Sequence, residues 1–451
     1  MTLTIARAEM GQGIYTALAM LIAEELEVDL AQVQVEHAPA DQARFANPLL
    51  GFQVTGGSTS VQTFFTPLRQ AGATARALLV AAAAGQWQVD PATGHAESGS
   101  VVRGDSGRRL SYGDLVDRAA GLPTPEEVEF KVPDQFKLIG TPAKRIDSAP
   151  EVNGSAVFGI DVELPGMKVA TVAACPVLGD RLPFVNDGQA LTIAGVRQVV
   201  RLDDAVAVVA DHMGAAKRGL AALEIGWDEG ANAQLSTADL VRQLVQAAAR
   251  QGAVAKQQGD AATALQSTAR TIDAVYQMPL LAHATMEPLN CTVHVRQDAC
   301  EVWVSAQILG RARATAADVP GLPLDRVTVH NQFLGGGCDR RLEVDYATQA
   351  VRIGCQVDGQ VKVIWTREED NQHDCRPIYL DHLTAGLDAT GQPMSFQHRV
   401  AGSSIMALWA PEFFKNDLDF DAVDGAAGPY AFPYLRVDWV RAEPPAGLTT
   451  G

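Results

Sequence analysis

With 451 residues, the chain is longer than one hydrophobic core usually organises, so we expect two to four domains. Hydrophobic residues make up 47% of the sequence and charged residues 20%, proportions typical of folded globular proteins, which argues against a disordered chain. Acidic side chains outnumber basic ones by 53 to 36, and a net charge of −17 repels phosphate backbones and anionic lipids. This balance argues against nucleic acid as a partner.

The six cysteines are spaced too widely for an iron–sulfur or structural zinc site. They stand at positions 175, 291, 300, 338, 355 and 375, and no two form a CxxC pair. Any electron-transfer cluster is therefore expected on another chain. The sequence also shows no export signal and no apolar run of bilayer-spanning length, so the chain taken alone is predicted to be cytoplasmic.

Hydrophobic periodicity predicts a mixed α and β structure. In the first half we expect a strand at 3–5, a helix over 14–26, a strand at 33–35, a helix that starts at Thr66 and Pro67 and stops at Gly85, a loop-rich connector over 85–136, and a small βαβ-like module from Leu138 to Trp227. In the second half we expect strands at 271–277, 291–296, 301–306 and 327–329, and helices at 309–318 and from Leu342.

The stretch Met10-Gly11-Gln12-Gly13 lies between a predicted strand and a predicted helix. Its glycines let a ligand approach the backbone at a helix N-terminus, where unpaired N–H groups favour phosphate. The stretch also resembles a dinucleotide fingerprint, with Glu36 at the ribose-binding position, although Thr16 replaces the third glycine. Two alternatives stay open at this point: a tight turn without a ligand, and an NAD-dependent dehydrogenase.

Two further loops and one glutamine are candidates for binding a ligand. Residues 55–60, Thr-Gly-Gly-Ser-Thr-Ser, precede a helix and suit hydrogen bonding to phosphate or a polar heterocycle, with an ordinary polar loop as the alternative. Gly335-Gly336-Gly337 indicates a backbone that passes very close to another group. Gln307 ends a predicted strand, where its amide is placed to face a pocket.

Two other patterns are discounted. The group His283, Glu287, Cys291 and His294 has metal-ligand spacing, but Pro288 breaks the helix that would place these side chains on one face. Residues 104–107, Gly-Asp-Ser-Gly, resemble a serine protease nucleophile segment, yet they lie in a turn-rich stretch without assignable histidine and aspartate partners.

In combination and in this order, the motifs resemble the xanthine dehydrogenase family, and within it the large subunits of the isoquinoline 1-oxidoreductase and aldehyde hydroxylase branch. In that branch the segment with Met10 to Gly13 precedes the α/β hammerhead domain, whereas most of the family places it afterwards. The hammerhead pattern is similar to Ile139-Gly140-Thr141-Pro142 and to residues 154–161. The first cofactor-binding domain is similar to residues 286–292, 305–307, 335–337 and 366–370.

The resemblance implies a bacterial molybdenum hydroxylase whose molybdopterin, in its cytosine dinucleotide form, holds the metal without any protein ligand. Gln307 matches the family glutamine that hydrogen-bonds an oxygen ligand of the metal. The cofactor-binding positions implied by the motifs are Gly11, Gln12, Gly13, Gly57, Ser58, Ser60, Gly336 and Gly337. The implied reaction is hydroxylation of an aldehyde or N-heterocycle by water, with electrons leaving through a small subunit that carries [2Fe-2S] clusters.

The implied fold class is α+β and multidomain, with molybdenum-cofactor-binding domains flanking a small α/β hammerhead domain. We expect a permuted cofactor-binding segment and connector at 1–135. The hammerhead domain is expected at 136–230 and the first cofactor-binding domain at 231–451.

The sequence departs from the family pattern at two places. Cys338 and Asp339 replace the usual phenylalanine and glycine, which removes an aromatic face and adds a carboxylate beside an anionic cofactor. The chain also ends at Gly451, ahead of the segment with the family's glutamate base, so we expect that base to be absent and a C-terminal piece to be missing or supplied separately.

The beginning also looks clipped, because the branch often starts with an export signal. The alternative to a cytoplasmic location is therefore a periplasmic one, reached through a lost upstream signal or through a partner that carries the chain across the membrane. A cytochrome subunit is a further candidate partner. The alternative to an enzyme subunit is a catalytically inactive cofactor-binding or interaction fragment of the same family.

Overall fold

The structure is a computed structural model that describes residues 1–177, 181–374 and 376–444. It contains two compact units, each formed by two stretches of the chain. Unit 1 comprises Met1–Lys168 and Thr285–Ile364, and unit 2 comprises Val169–Ala284 and Trp365–Gly451. The predicted limits of the three domains stay a prediction. Within the described residues, no helix combines the length and the apolar composition needed to cross a bilayer.

Helices and strands alternate along the chain, which confirms the α+β class. The helices are α1 Ile14–Leu26, α2 Gln42–Phe45, α3 Thr59–Trp87, α4 Tyr112–Ala120, α5 Ser148–Asn153, α6 Met213–Ala221, α7 Thr237–Ala248, α8 Ala261–Gln266, α9 Leu309–Asp318, α10 Asp345–Gly354, α11 Arg367–Gln372, α12 Ile405–Trp409 and α13 Phe420–Val423. The strands are β1 Thr2–Ile5, β2 Gln34–His37, β3 Gly94–Glu97, β4 Ser100–Arg103, β5 Arg109–Ser111, β6 Lys168–Ala174, β7 Arg181–Asn186, β8 Val196–Arg201, β9 Ala205–Ala210, β10 Glu224–Asp228, β11 Ala253–Gln258, β12 Arg270–Met278, β13 Asn290–Val295, β14 Cys300–Val304, β15 Val327–Asn331, β16 Val361–Ile364, β17 Tyr379–Leu387, β18 Pro393–Gly402 and β19 Tyr434–Arg441.

The first stretch of unit 1 is built around helices α1 and α3. Strands β1 and β2, which precede and follow α1 in the chain, pair in parallel, with Thr2 opposite Gln34 and Ile5 opposite His37. Leucine and alanine side chains of α1 and α3, including Leu18, Leu21 and Leu79, form one buried core. Gly72 allows the two helices to approach closely, because any other residue there would place its Cβ only 2.6 Å from the Ile22 carbonyl oxygen.

The second stretch of unit 1 supplies a sheet whose strands run in the order β15–β14–β13–β16. Strands β14 and β15 are parallel and are joined by α9, whereas β13 is antiparallel to both β14 and β16. Helices α9 and α10 pack on this sheet, and Ala312, Ala316, Ala347 and Ala350 are fully buried. Gln307 therefore follows β14, and the triple glycine follows the neighbouring parallel strand β15.

Unit 2 contains a five-stranded sheet in the order β11–β19–β18–β17–β12. Helices α7 and α8 pack against it, and Leu240 and Leu244 of α7 form a core with Ile378 and Leu380. Strands β6, β9 and β8 pair antiparallel beside α6, and β7 pairs separately with β10.

Three expectations about local structure are wrong. Helix α3 begins at Thr59 rather than Thr66, since Phe64 and Phe65 pack against the α1 core and outweigh the cost of Pro67 inside the helix. The predicted connector contains the sheet β3–β4–β5 and helix α4. The βαβ-like module is also wrong, because β10 pairs with β7 and not with β9.

Candidate functional site

The triple glycine of unit 1 is held against a buried glutamate. The Gly335 N–H donates to Glu287 Oε2 at 2.8 Å, and the Glu287 N–H donates to the Gly335 carbonyl at 3.0 Å. A Cβ at position 335 would collide with the Glu287 side chain, and Gly336 adopts a φ of +94°. The close backbone approach predicted for this loop is thereby confirmed.

Glu287 forms an ion pair with Arg341 that fixes the same loop from its other side. The Arg341 guanidinium, which is fully buried, lies 3.0 Å from Glu287 Oε2 and donates to the Gly336 carbonyl at 2.9 Å. It also donates to the carbonyls of Ser305 and Glu287. A buried charge is tolerated only when it is paired and hydrogen-bonded, so this network defines a single loop geometry.

Gln307 is 2% exposed and joins the triple glycine to the 55–60 loop. Its Nε2 donates to the Thr55 carbonyl at 2.8 Å, and the Thr55 N–H donates back to the Gln307 carbonyl at 2.8 Å. Among the described residues, the amide oxygen Oε1 has no hydrogen-bond partner. A Cβ at Gly337 would lie 2.6 Å from this oxygen and 2.8 Å from Met10 Sδ.

We call this surface, formed by Gly337, Gln307 Oε1 and Met10 Sδ, the cradle. Three motifs that are far apart in sequence meet there, and all of them belong to unit 1. The cradle offers a bare glycine backbone, a soft sulfur and one unpaired acceptor, which together suit a flat polar group.

The turn of residues 10–13 is organised by Glu9 rather than by a ligand. The Glu9 carboxylate is buried and accepts the N–H groups of Gly11 at 3.0 Å, Gly13 at 2.9 Å and Tyr15 at 3.0 Å. Our interpretation that these N–H groups are free for phosphate is therefore wrong. The dinucleotide alternative loses its binding geometry for the same reason.

Arg145 anchors this turn from outside. It donates to the Gly11 carbonyl at 2.8 Å and pairs with Glu9, Asp147 and Glu151. Hydrogen bonding to Asp147 raises the pKa of Arg145 above its ordinary value, so the guanidinium stays charged. The exposed Gln12 closes the turn on itself, since its Oε1 accepts from the Met10 N–H and its Nε2 donates to the Ala8 carbonyl.

In the 55–60 loop, the hydroxyls of the two threonines hold the surrounding chain in place, whereas Ser58 is exposed and Ser60 is half-buried. Thr55 Oγ1 accepts from the Ala8 N–H, and Thr59 Oγ1 accepts from Asn47 Nδ2 at 2.7 Å. Gly57 and Ser58 are exposed, and Ser58 directly precedes α3, where its side chain makes no capping hydrogen bond. Assignment of Gly57, Ser58 and Ser60 to a cofactor stays a prediction, as it does for Gly11, Gln12, Gly13, Gly336 and Gly337.

The sequence did not reveal the roles of Thr55, Glu287 and Arg341, because their partners lie as far as 252 residues away, as for Thr55 and Gln307, and no local pattern encodes such pairs. The role of Glu9 was also missed, although the N–H groups that it binds belong to the adjacent turn. Of the discounted group, Glu287 uses its carboxylate for Arg341, and His283 pairs with Asp374 at 2.8 Å in unit 2. In the part of the chain that the structure describes, no group of three or more His, Cys, Asp or Glu side chains is arranged to hold a metal ion.

Comparison with known families identifies the same kind of domain twice. Residues 1–169 and residues 245–439 each match a family described as a molybdopterin cofactor-binding domain. These two matches cover most of the chain, and the first contains both the 10–13 turn and the 55–60 loop.

Individual relatives agree with the domain matches. The chain is 30% identical to isoquinoline 1-oxidoreductase subunit beta of Brevundimonas diminuta over 95% of its own length and 61% of that protein. It is 30% identical to the membrane-bound aldehyde dehydrogenase [pyrroloquinoline-quinone] of Gluconacetobacter polyoxogenes over 93% of its length and 55% of that protein. The aldehyde oxidoreductase of Desulfovibrio gigas shares the fold, with a TM-score of 0.53, 14% identity and coverage of 95% of this chain and 48% of that one. The chain thus spans less than two thirds of these relatives.

Proposed function

Because the chain belongs to the molybdopterin-binding subunits of the xanthine dehydrogenase family, we propose that its unit 1 loops hold a molybdopterin and that the complete protein hydroxylates aldehydes or N-heterocycles. The observation that carries this proposal is the unpaired Gln307 Oε1 beside Gly337. A buried polar atom without a partner costs about 1–3 kcal/mol, which a bound polar group would offset. When bound, the molybdenum–pterin group supplies oxidation of the substrate carbon with water as the oxygen source.

The residues of this chain bind and orient that group. Gly337 would leave room for the group next to the backbone, and Met10 and Gln307 would contact it from either side. The Glu287–Arg341 ion pair keeps the triple glycine in place. We further propose the cytosine dinucleotide form of the cofactor and a partner subunit with [2Fe-2S] clusters, as the family resemblance of the sequence motifs implies. The relative from Brevundimonas diminuta is described as subunit beta, which supports the existence of a partner subunit.

The test is oxidation of aldehydes and N-heterocycles by the protein co-expressed with its neighbouring subunits, using an artificial electron acceptor and protein of measured molybdenum content. We expect Gln307→Ala to lower turnover per molybdenum on the order of 10- to 100-fold, as for other groups that orient a metal site. The control is Gln246→Ala, an exposed position on α7. Equal turnover per molybdenum in the two variants would contradict the role of Gln307.

A second candidate function is a cofactor-binding protein without catalysis. It is favoured by the hydrogen bonds and ion pairs that the acidic side chains around the cradle already make. Within the described residues, Glu9 and Glu287 are engaged by backbone N–H groups and arginines, and Asp339 accepts from Gln307. None of these three is free to act as a general base, a group that typically contributes about 100- to 10,000-fold. Stoichiometric pterin without turnover in the complete assembly would establish this candidate.

A further inference from the structure

Arg7 is a fully buried arginine whose guanidinium is only partly hydrogen-bonded within the described residues. It follows strand β1, and none of its surface is exposed. Its Nη1 donates to the Ala6 carbonyl at 2.7 Å, whereas Nε and Nη2 have no hydrogen-bond partner in the part of the chain that the structure describes. A buried charge is tolerated only when it is paired and hydrogen-bonded, so these two N–H groups lack the acceptor that they require.

The two nitrogens lie on the edge of the guanidinium that binds carboxylates elsewhere in this chain. Nε and Nη2 point their N–H groups in the same direction, so one carboxylate or phosphate can accept from both. Arg145 uses this Nε/Nη2 edge to bind Asp147, at 2.9 and 2.7 Å, and Arg399 uses it to bind Asp438. The same edge of Arg7 meets no carboxylate among residues 1–177, 181–374 and 376–444.

The Arg7 side chain stays positively charged in this buried position. Burial lowers its pKa to about 10, which still leaves the guanidinium protonated at neutral pH. Its Cζ lies 4.6 Å from the centre of the Phe64 ring, a contact that supports one face of the guanidinium but supplies no acceptor to its edge. Burial lowers the pKa of His37, and the charge of Arg7 adds to this effect, as expected of a positive charge that no anion balances.

A small cavity lies next to Arg7. Ala6 and Phe64, which both contact the guanidinium, also line this cavity, which has a volume of about 100 Å³. Its described lining also includes the exposed Arg44 and contains no acidic residue. A cavity of this size holds a small ion with water, and an exposed positive charge in its lining raises the local concentration of anions.

We propose that the Nε/Nη2 edge of Arg7 is a binding site for an oxyanion that presents two oxygens, with inorganic phosphate as the simplest ligand. The anion accepts both N–H groups and balances the buried charge, and Arg44 attracts it from solvent. This site goes beyond the proposed function, because none of its residues belongs to the cradle. Arg7 precedes Met10 of the cradle by three residues, so the phosphate of a bound molybdopterin is a second source of the same chemistry.

The site is tested on the chain made in a host that does not synthesise molybdenum cofactor, so that no pterin competes. Equilibrium dialysis with labelled phosphate should show one saturable site per chain in the parent. Phosphate should also raise the melting temperature by several degrees relative to chloride at equal ionic strength. Arg7→Met keeps an apolar side chain against Phe64 but removes the charge, so we expect it to lose both effects and, without phosphate, to melt no lower than the parent. Arg108→Met, at an exposed position of unit 1, is the matched control and should keep both effects.

If Arg7→Met does not fold, Arg7→Lys gives the same test. Lysine keeps the charge but lacks two parallel N–H groups, so it should bind phosphate on the order of 10-fold more weakly than the parent. Phosphate binding by Arg7→Met or Arg7→Lys as tight as that of the parent would overturn the site, because the ion would then be adventitious. Absence of phosphate binding by the parent would overturn it as well.

Protein loaded with pterin identifies the source of the oxyanion. Phosphate uptake equal to that of the pterin-free chain supports a free anion at Arg7, whereas loss of this uptake supports the phosphate of the cofactor at the same edge. A chain that takes up no pterin would contradict the proposed function and would leave the dialysis result on the pterin-free chain unaffected.

Discussion

Buried charged side chains in unit 1 hold loops in place. Glu9 gathers three backbone N–H groups of one turn, and Arg341 reaches three backbone carbonyls around the triple glycine. Each of these charges also has an oppositely charged partner, Arg145 for Glu9 and Glu287 for Arg341. Since removing one member of such a pair costs several kcal/mol, these contacts restrict the loops to one arrangement.

His37 makes the stability of unit 1 depend on pH. Burial is the main cause that lowers the pKa of its imidazole to about 4; the hydrogen bond to the Ala38 carbonyl opposes it in part, and the positive charge of Arg7 adds to it. The folded protein therefore keeps His37 neutral while the unfolded chain takes up a proton below about pH 6.5. Stability is fully present above that pH and falls as the pH drops toward 4, by at most about 3 kcal/mol.

We expect His37→Gln to flatten this part of the pH profile, because glutamine can still accept from Asn331 Nδ2, which lies 3.0 Å from His37 Nε2. The measurement is urea unfolding at pH 4.5, 5.5 and 7.5, with the exposed His95→Gln as control. A profile as steep as that of the parent would show that another group is responsible.

The turn between β1 and α1 gives a prediction about one element. We expect Glu9→Gln to destabilise the chain by about 1–3 kcal/mol, because an amide oxygen cannot replace two carboxylate oxygens that serve three N–H groups. Glu9→Ala should cost more, since it also leaves Arg145 with fewer partners. Urea unfolding measures both, and Glu36→Gln, an exposed change on β2, is the control. Stability of Glu9→Gln equal to the control would mean that the turn holds without its buried carboxylate.

Periodicity predicted those elements whose amphipathic pattern is uninterrupted. Helices α1 and α9 begin and end at the expected residues, and β13 to β15 lie within one or two residues of theirs. The start of α3 could not be predicted, because its first turns are stabilised by Phe64, Phe65 and the Asn47–Thr59 hydrogen bond, which are tertiary contacts. The pairing of β10 with β7 could not be predicted either, because hydrophobic periodicity depends only on residues that are close in sequence.

For the candidate site, the sequence predicted the motifs but not the residues that hold those motifs in place. Three glycines at 335–337 indicate close approach whatever lies opposite, whereas Glu287 lies 48 residues from Gly335 and carries no local signal of that contact. Gln307 Nε2 donates to Asp339 Oδ1 at 3.1 Å, and only the folded loop shows that these two side chains meet.

Unit 1 as a whole explains why both stretches of its chain are needed for the site. The 10–13 turn and the 55–60 loop come from the first stretch, and Gln307 with the triple glycine comes from the second. Hydrogen bonds between Thr55 and Gln307 join the two stretches directly. A variant that disturbs this junction should lose cofactor binding even when each stretch keeps its own secondary structure.

The most direct test of molybdopterin binding is the pterin content of the purified chain, measured by fluorescence after oxidative release from protein made in a host that synthesises molybdenum cofactor. We predict stoichiometric pterin in the parent and in Gly113→Ala, whose added methyl group meets only an ordinary contact in α4. Gly337→Ala should lose most of its pterin, because the methyl group would lie 2.6 Å from Gln307 Oε1 and fill the cradle. A folded parent chain without pterin, or a Gly337→Ala variant that retains as much pterin as Gly113→Ala, would contradict this account.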